Sequence, residues 1–270
     1  MPGPHAPGDR PGARTTPTDG RKNPDDHRYT RHRPAPTDLK PVPAEPGRAP
    51  ACRRVPGYAA GPGYPAPALN AAAQAGWTEF QDKVANVTYT SPDRCARLSF
   101  GPETNRYAAC RDELWQATYI TDPTASITAS GATHWAATFG DYTPAEAIAA
   151  FLTAVARPVR PEAEGEPGTF LYAAGPGDHL AVCTVCDQAG WVLDPHRAEH
   201  CHLSADTTMR MTYRAPYPDR RGQAGWQAVY HPIDTDRRWS ARFTPAVPAA
   251  AITAFLSVLT DPAGLDPDRA

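Results

Sequence analysis

Six metal-ligating side chains fall within twenty residues of one another: Cys183, Cys186, His196, His200, Cys201 and His202. The first four follow the spacing C-x2-C-x9-H-x3-H, in which two thiolates and two imidazoles could close around zinc. A second group is cationic. Arg210, Arg238 and Arg242 suit recognition of a carboxylate, a phosphate or an acidic protein surface, because a guanidinium donates hydrogen bonds in a planar fork. Ser91 and Asp93 pair a hydroxyl with an acid, but no histidine is placed by sequence to link them. Ala60-Gly61-Pro62-Gly63 precedes a helical stretch whose N-terminus favours anions, yet it lacks the lysine of a phosphate loop. Nucleophile-elbow, Walker, His-Glu-x2-His and dinucleotide fingerprints do not occur, so no catalytic residue is assigned.

An internal duplication decides what these groups are for. Tyr-Ala-Ala-Gly-Pro-Gly occurs at 58–63 and 172–177, and Gln-Ala-Gly-Trp at 74–77 and 188–191, both at an offset of 114. A one-residue slip then aligns Ser91 and Asp93 with Ser204 and Asp206, and Arg97 with Arg210. Trp115 and Tyr119 match Trp226 and Tyr230, and Trp135 to Pro158 lies on Trp239 to Pro262 without a gap. In this register Cys183 lies on Leu69 and Cys186 on Ala72, one helical turn apart, where free cysteine serves as a small hydrophobe. His200 and His202 replace Val87 and Tyr89 on one face of a strand. The repeat thus favours core cysteines and surface histidines, with no metal and no cofactor. Cys183, Cys186, His200 and His202 are the residues that tertiary packing would have to gather for a metal site.

The duplicated pattern also sets the fold. Each hexapeptide leads into a short helix, 66–75 and 179–189, ended by Gly76 and Gly190. Alternation in Trp115, Ala117, Tyr119 and in Trp135, Ala137, Phe139 marks strands with one apolar face, and Trp226 to Tyr230 and Trp239 to Phe243 repeat it. Ser91-Pro92-Asp93-Arg94 is a turn between earlier strands, and repeat 2 keeps Ser204 and Asp206. Ile148, Phe151, Leu152, Val155 and Ile252, Phe255, Leu256, Leu259 follow i, i+3, i+4, i+7, one apolar stripe on each of two long helices. Thr143-Pro144-Ala145-Glu146 predicts an N-cap, a proline at the first helical position and a capping-box acid; repeat 2 has Val247 and Ala250 and is expected to start less well capped. The class is α+β. Two tandem units, 55–158 and 170–262, each hold a short helix, an antiparallel sheet of four to five strands and a long C-terminal helix on one sheet face. A disordered tail (1–54), a Pro- and Glu-rich linker (159–169) and a short C-terminal tail (263–270) complete the chain.

These residues resemble the SPDY domain family, a domain of unknown function (317) found in actinomycetes and commonly present in tandem. The resemblance rests on Tyr58 to Gly63, Gly76-Trp77, Ser91-Pro92-Asp93, Trp135 with Phe139, and Thr143-Pro144 leading into Ala147 to Leu152. Repeat 2 matches at Tyr172 to Gly177, Gly190-Trp191, Trp239 with Phe243, and Pro248 into Phe255-Leu256. It covers about three quarters of the chain. The motif's final tyrosine is Arg94 here, and repeat 2 reads Ser-Ala-Asp-Thr at 204–207, so that tyrosine is not expected to be essential. The resemblance implies a fold and no activity.

Bulk properties narrow the partners. Residues 1–54 hold 12 of the 32 prolines and a charge of +5 (11 minus 6), leaving −7 on the rest of a chain whose net charge is −2. Such a segment cannot repay the entropy of ordering. No run approaches the ~18 to 20 apolar residues of a membrane span, and the N-terminus lacks an apolar signal region, so a cytoplasmic protein with reduced thiols is expected. By strand parity Arg210, Arg238 and Arg242 face away from Met211, Trp239, Ala241 and Phe243, and their counterparts are Arg97, His134 and Thr138. The expectation is a non-enzymatic protein-binding or scaffolding module of two pseudo-symmetric repeats packed on each other, with an unidentified protein partner. The alternatives are a nucleic-acid-associated regulator using the basic tail and the repeat 2 arginines, and an enzyme with its site between repeats.

Overall fold

Alternating apolar side chains in the strands and one apolar stripe on each long helix build two layers, a sheet and the helices that cover one side of it. The computed structural model describes residues 54–101, 113–124, 133–160, 169–197, 200–216 and 224–267, all within one compact unit. The expected tail (1–54), apart from Arg54, and the centre of the linker, 161–168, lie outside them. Repeat 1 runs α1 (Ala66–Gln74), β1 (Thr78–Gln81), β2 (Val87–Thr90), β3 (Ala96–Phe100), β4 (Trp115–Ile120), β5 (Thr133–Phe139) and α2 (Ala145–Val155). A short pair, β6 (Pro158–Arg160) and β7 (Thr169–Phe170), joins it to repeat 2. Repeat 2 runs α3 (Leu180–Gln188), β8 (Val192–Leu193), β9 (His200–Leu203), β10 (Met209–Arg214), β11 (Gly225–Tyr230), β12 (Trp239–Phe243) and α4 (Ala249–Leu259).

Ten of these strands form one antiparallel sheet in the order β1-β2-β3-β4-β5-β12-β11-β10-β9-β8. The last strand of each repeat therefore pairs with the last strand of the other. Ala241 opposes Phe139, Arg242 opposes Thr138, and Phe243 opposes Ala137. Thr138 and Arg242 are counterparts in the duplication, so a pseudo-twofold axis passes between them. Gly140 N–H donates to Ser240 O at 2.8 Å and Thr244 N–H to Ala136 O at 2.9 Å, a symmetric pair that extends the junction.

Beneath the axis lie Phe139, Phe243, Phe151 and Phe255, each at most 1 % exposed. Phe139 and Phe243 stand 5.6 Å apart at 78°, and each meets the long-helix phenylalanine of its own repeat at 5.4 Å. The crossed pairs are 5.5 Å and 5.7 Å, within the range that aromatic rings prefer. α2 packs on α4 above them, with α1 and α3 outside, so the core is continuous through both repeats.

Helix ends follow local chemistry. Gly76 and Gly190 adopt φ of 75° and 73°, and Trp77 N–H reaches back to Ala72 O as Trp191 N–H reaches Cys186 O, closing α1 and α3 with the same left-handed cap. The start of α2 differs from expectation. Pro144 is the cap residue, Thr143 is buried and its hydroxyl makes no cap bond, and Ala145 N–H instead donates to Pro62 O at 3.0 Å. Ala249 N–H donates to Pro176 O at 2.7 Å, so α4 starts as well capped as α2. The carbonyl between the two glycines of each hexapeptide is the acceptor, and positive φ at Gly61, Gly63, Gly175 and Gly177 turns it there. Two boundaries also move. Part of the expected linker is paired in β6 and β7, and Leu265, expected in a tail, forms a two-way bridge with Val55. No helix among the described residues is long and apolar enough to cross a membrane.

One core predicts one unfolding transition. Phe139→Ala or Phe243→Ala should each lower stability by about 3–5 kcal/mol and shift the entire transition, followed by denaturant-dependent circular dichroism. Two separate transitions, with only one displaced by Phe243→Ala, would show that the repeats fold independently.

Candidate functional site

Two constellations cross between the repeats, one on the covered side of the sheet and one on the open side. On the covered side the hexapeptide tyrosines are exchanged. Tyr58, from repeat 1, packs against Trp191 and Tyr230 of repeat 2, and its hydroxyl donates to Asp206 Oδ2 at 3.1 Å. Tyr172, from repeat 2, packs against Tyr119 of repeat 1, and its hydroxyl donates to Asp93 Oδ2 at 2.7 Å. The indole N–H of Trp239 donates to Tyr58 O at 3.0 Å, and that of Trp135 to Tyr172 O at 2.8 Å. Each tyrosine thus closes a latch on the other repeat.

The Ser-x-Asp turns are the receptors. Ser91 Oγ donates to Asp93 Oδ1 and accepts from Ala96 N–H, while Cys95 N–H donates to Asp93 Oδ1. Ser204, Asp206, Met209 and Thr208 repeat this set. One carboxylate oxygen holds the turn and the other is left for the tyrosine. Burial, then the Asp206 carboxylate, push the Tyr58 phenol up to about 12; burial and Asp93 raise Tyr172 as well. Burial works to raise Asp206, but hydrogen bonds from Ser204, Thr208 and Tyr58 prevail and hold it below the ordinary carboxylate range. The serine and aspartate are therefore committed to a turn and a latch.

On the open side, register places one straight row across four strands: Gln116 (β4), Thr138 (β5), Arg242 (β12) and Gln227 (β11). Neighbouring strands lie about 4.8 Å apart, so these side chains stand side by side. A recess of about 310 Å³ opens along one half of the row, lined by Thr138, Arg242, Gln227, Arg214 and Glu113 among others. Thr138 Oγ1 donates to Glu113 Oε1 at 3.3 Å. Close approach of β11 to the end of β12 requires glycine at Gly225, where φ is +105° and a Cβ would collide with the Phe243 carbonyl oxygen.

The structure separates several residues that the sequence grouped. Arg242 is exposed on the open face as parity predicts, but Arg238 precedes β12, pairs loosely with Asp236 at 4.0 Å and borders a different recess of about 350 Å³. Arg210 is half-buried on β10 opposite Val229. The three arginines therefore do not form one patch. Arg214, which the sequence reading passed over, is the arginine that shares a recess with Arg242; its parity with Arg210 was the available signal.

Among the metal-ligating residues, strand alternation places Cys201 on the side of the sheet opposite to His200 and His202, where it is fully buried against Thr212. His196 is exposed in a turn. Cys186 is buried in the core with its thiol pushed up to about 12 by burial, and Cys183 is half-buried. His202 corrects the expectation of a surface histidine. It is 4 % exposed, with Nδ1 3.4 Å from Asp187 Oδ1, and burial lowers its pKa; His200 is exposed. Among the described residues no group of three or more His, Cys, Asp or Glu is arranged to hold a metal.

This geometry defines a tandem α+β protein whose two copies complete each other across a twofold axis. The family model for SPDY, a domain of unknown function (DUF317), matches residues 90–161 and 203–265, together half of the chain. The chain belongs to the SPDY (DUF317) family, with two copies of the domain. Each match begins beside the Ser-x-Asp turn, so the hexapeptides and short helices lie outside it and the matched share is smaller than the three quarters expected. No curated protein and no solved structure gives a match.

The latch makes two predictions. In a double-mutant cycle, Tyr58→Phe and Asp206→Asn should show a coupling of about 1–2 kcal/mol in denaturant-derived stability, and additive effects would remove the latch. The raised Tyr58 phenol contributes stability that is fully present below the ordinary value of 10.0 and is lost as pH rises toward about 12. Stability should therefore fall across that window, and Tyr58→Phe should flatten the fall in denaturation midpoints measured against pH.

Proposed function

We propose that this protein is a non-enzymatic binding module that presents the open face of its shared sheet to an acidic protein partner. The observation that carries this reading is a break in symmetry. Most residues that recur in both copies build the core, the caps and the latches, which serve the scaffold; Gln116 with Gln227 and Arg97 with Arg210 recur on the open face. Along the open face the copies differ in charge: Arg214 and Arg242 stand where repeat 1 has Gly101 and Thr138. Both arginines line the recess beside the axis. A duplicated scaffold with one cationic side suits an asymmetric partner.

The test compares proteins captured on the immobilised full chain with those captured on Arg242→Glu, after circular dichroism has shown both to be folded. A partner of acidic composition that is retained by the native chain and lost by about tenfold or more with Arg242→Glu supports the reading. Equal recovery on both chains would exclude the open face of repeat 2 as the binding surface.

A further inference from the structure

The row at the twofold axis has an unusual property. Under the axis Gln116 exchanges with Gln227 and Thr138 exchanges with Arg242, so the row maps onto itself. The outer members are identical and only the central pair differs. Arginine at both central positions would set two like charges directly opposite each other on register partners, which is destabilising. Threonine at both would leave the axis without charge. One arginine and one threonine place a single cation at the junction, with an amide and a hydroxyl as its neighbours.

We infer that this row seats one carboxylate, an acidic side chain offered by the partner protein; the inference rests on the binding reading above and adds the chemical group that is recognised. Three observations converge on a single, singly charged group. Among the described residues the lining holds Arg214, Arg242 and Glu113, an excess of arginine over acid that suits an anion. Glu113, held at the rim by the Thr138 hydroxyl, repels a second negative charge, so a phosphate dianion or a nucleic-acid backbone is disfavoured. The recess of about 310 Å³ has room for one acidic side chain. Arg242 is exposed, and no ion pair of Arg242 is present among the described residues, so its two-donor edge is available to a carboxylate while the Gln227 amide adds a third donor.

The experiment titrates the isotope-labelled full chain with N-acetyl-glutamate amide, N-acetyl-glutamine amide, inorganic phosphate and duplex DNA, and follows arginine Nε–H and glutamine side-chain resonances. Capped glutamate should move the Arg242 and Gln227 signals to saturation, capped glutamine should not, and Arg242→Gln should weaken the effect about tenfold. Glu113→Gln should strengthen phosphate binding several-fold while changing capped glutamate by about twofold or less, because the extra charge of phosphate meets Glu113 more strongly. Shifts that grow without saturation, equal shifts at Arg210 and Arg238, or an identical response to capped glutamine would overturn the carboxylate seat. So would DNA binding that displaces capped glutamate and weakens steeply with salt. If the seat fails while Arg242→Glu still loses the captured partner, the binding reading stands and only the recognised group is wrong. If capped glutamate saturates but capture is indifferent to Arg242, the binding reading is the one that falls.

Discussion

Neither repeat can bury its own last strand. β5 and β12 carry Phe139 and Phe243 on their covered faces, and each repeat supplies only one long helix to roof them. A single repeat would expose the flank of that phenylalanine together with an unpaired strand edge, an arrangement prone to association. Setting the two edges against each other satisfies the backbone and brings four phenylalanines into one contact set. Full burial of a phenylalanine contributes on the order of 1.5–3 kcal/mol, so this junction outweighs any single polar contact in the molecule. The ten-strand order, the α2–α4 packing and the position of the open face all follow from it.

The tyrosine latches depend on that junction and reinforce it. Only when the two sheets are joined does Tyr58 lie within reach of Asp206, and Tyr172 within reach of Asp93. A buried phenol needs an acceptor, and a carboxylate already fixed by its own turn meets the need with little loss of side-chain freedom. The same hexapeptide serves a second purpose in its own repeat, where its proline carbonyl accepts from the first N–H of the long helix. One short motif therefore spans both repeats, with its tyrosine on one and its glycine-flanked carbonyl on the other. That double duty explains why it recurs intact in both copies while the turn residue Pro92 becomes Ala205.

Symmetry leaves the open face free to vary. Its side chains lie outside the phenylalanine set and the latches, and one unit charge difference between the copies, Thr138 against Arg242, falls on the axis itself. Thr138 and Arg242 are the case where geometry restricts the choice most, because register partners at an axis feel each other's charge directly.

Much of the architecture was legible in the chain itself. The offset of 114 between hexapeptides, period-two alternation around the tryptophans and the i, i+3, i+4, i+7 stripes specify the repeats, the strands and the helices, because those patterns arise from local geometry. The same register correctly placed Cys186 in the core and Arg242 on the open face. What only the tertiary structure decided involves partners far apart in sequence: the pairing of β5 with β12, the exchange of Tyr58 and Tyr172, the capping of α2 by Pro62 rather than Thr143, the burial of His202 beside Asp187, and the meeting of Arg214 with Arg242. Periodicity reports which face of an element a residue occupies. It carries no information about which distant element covers that face, and in this protein the covering element belongs to the other repeat.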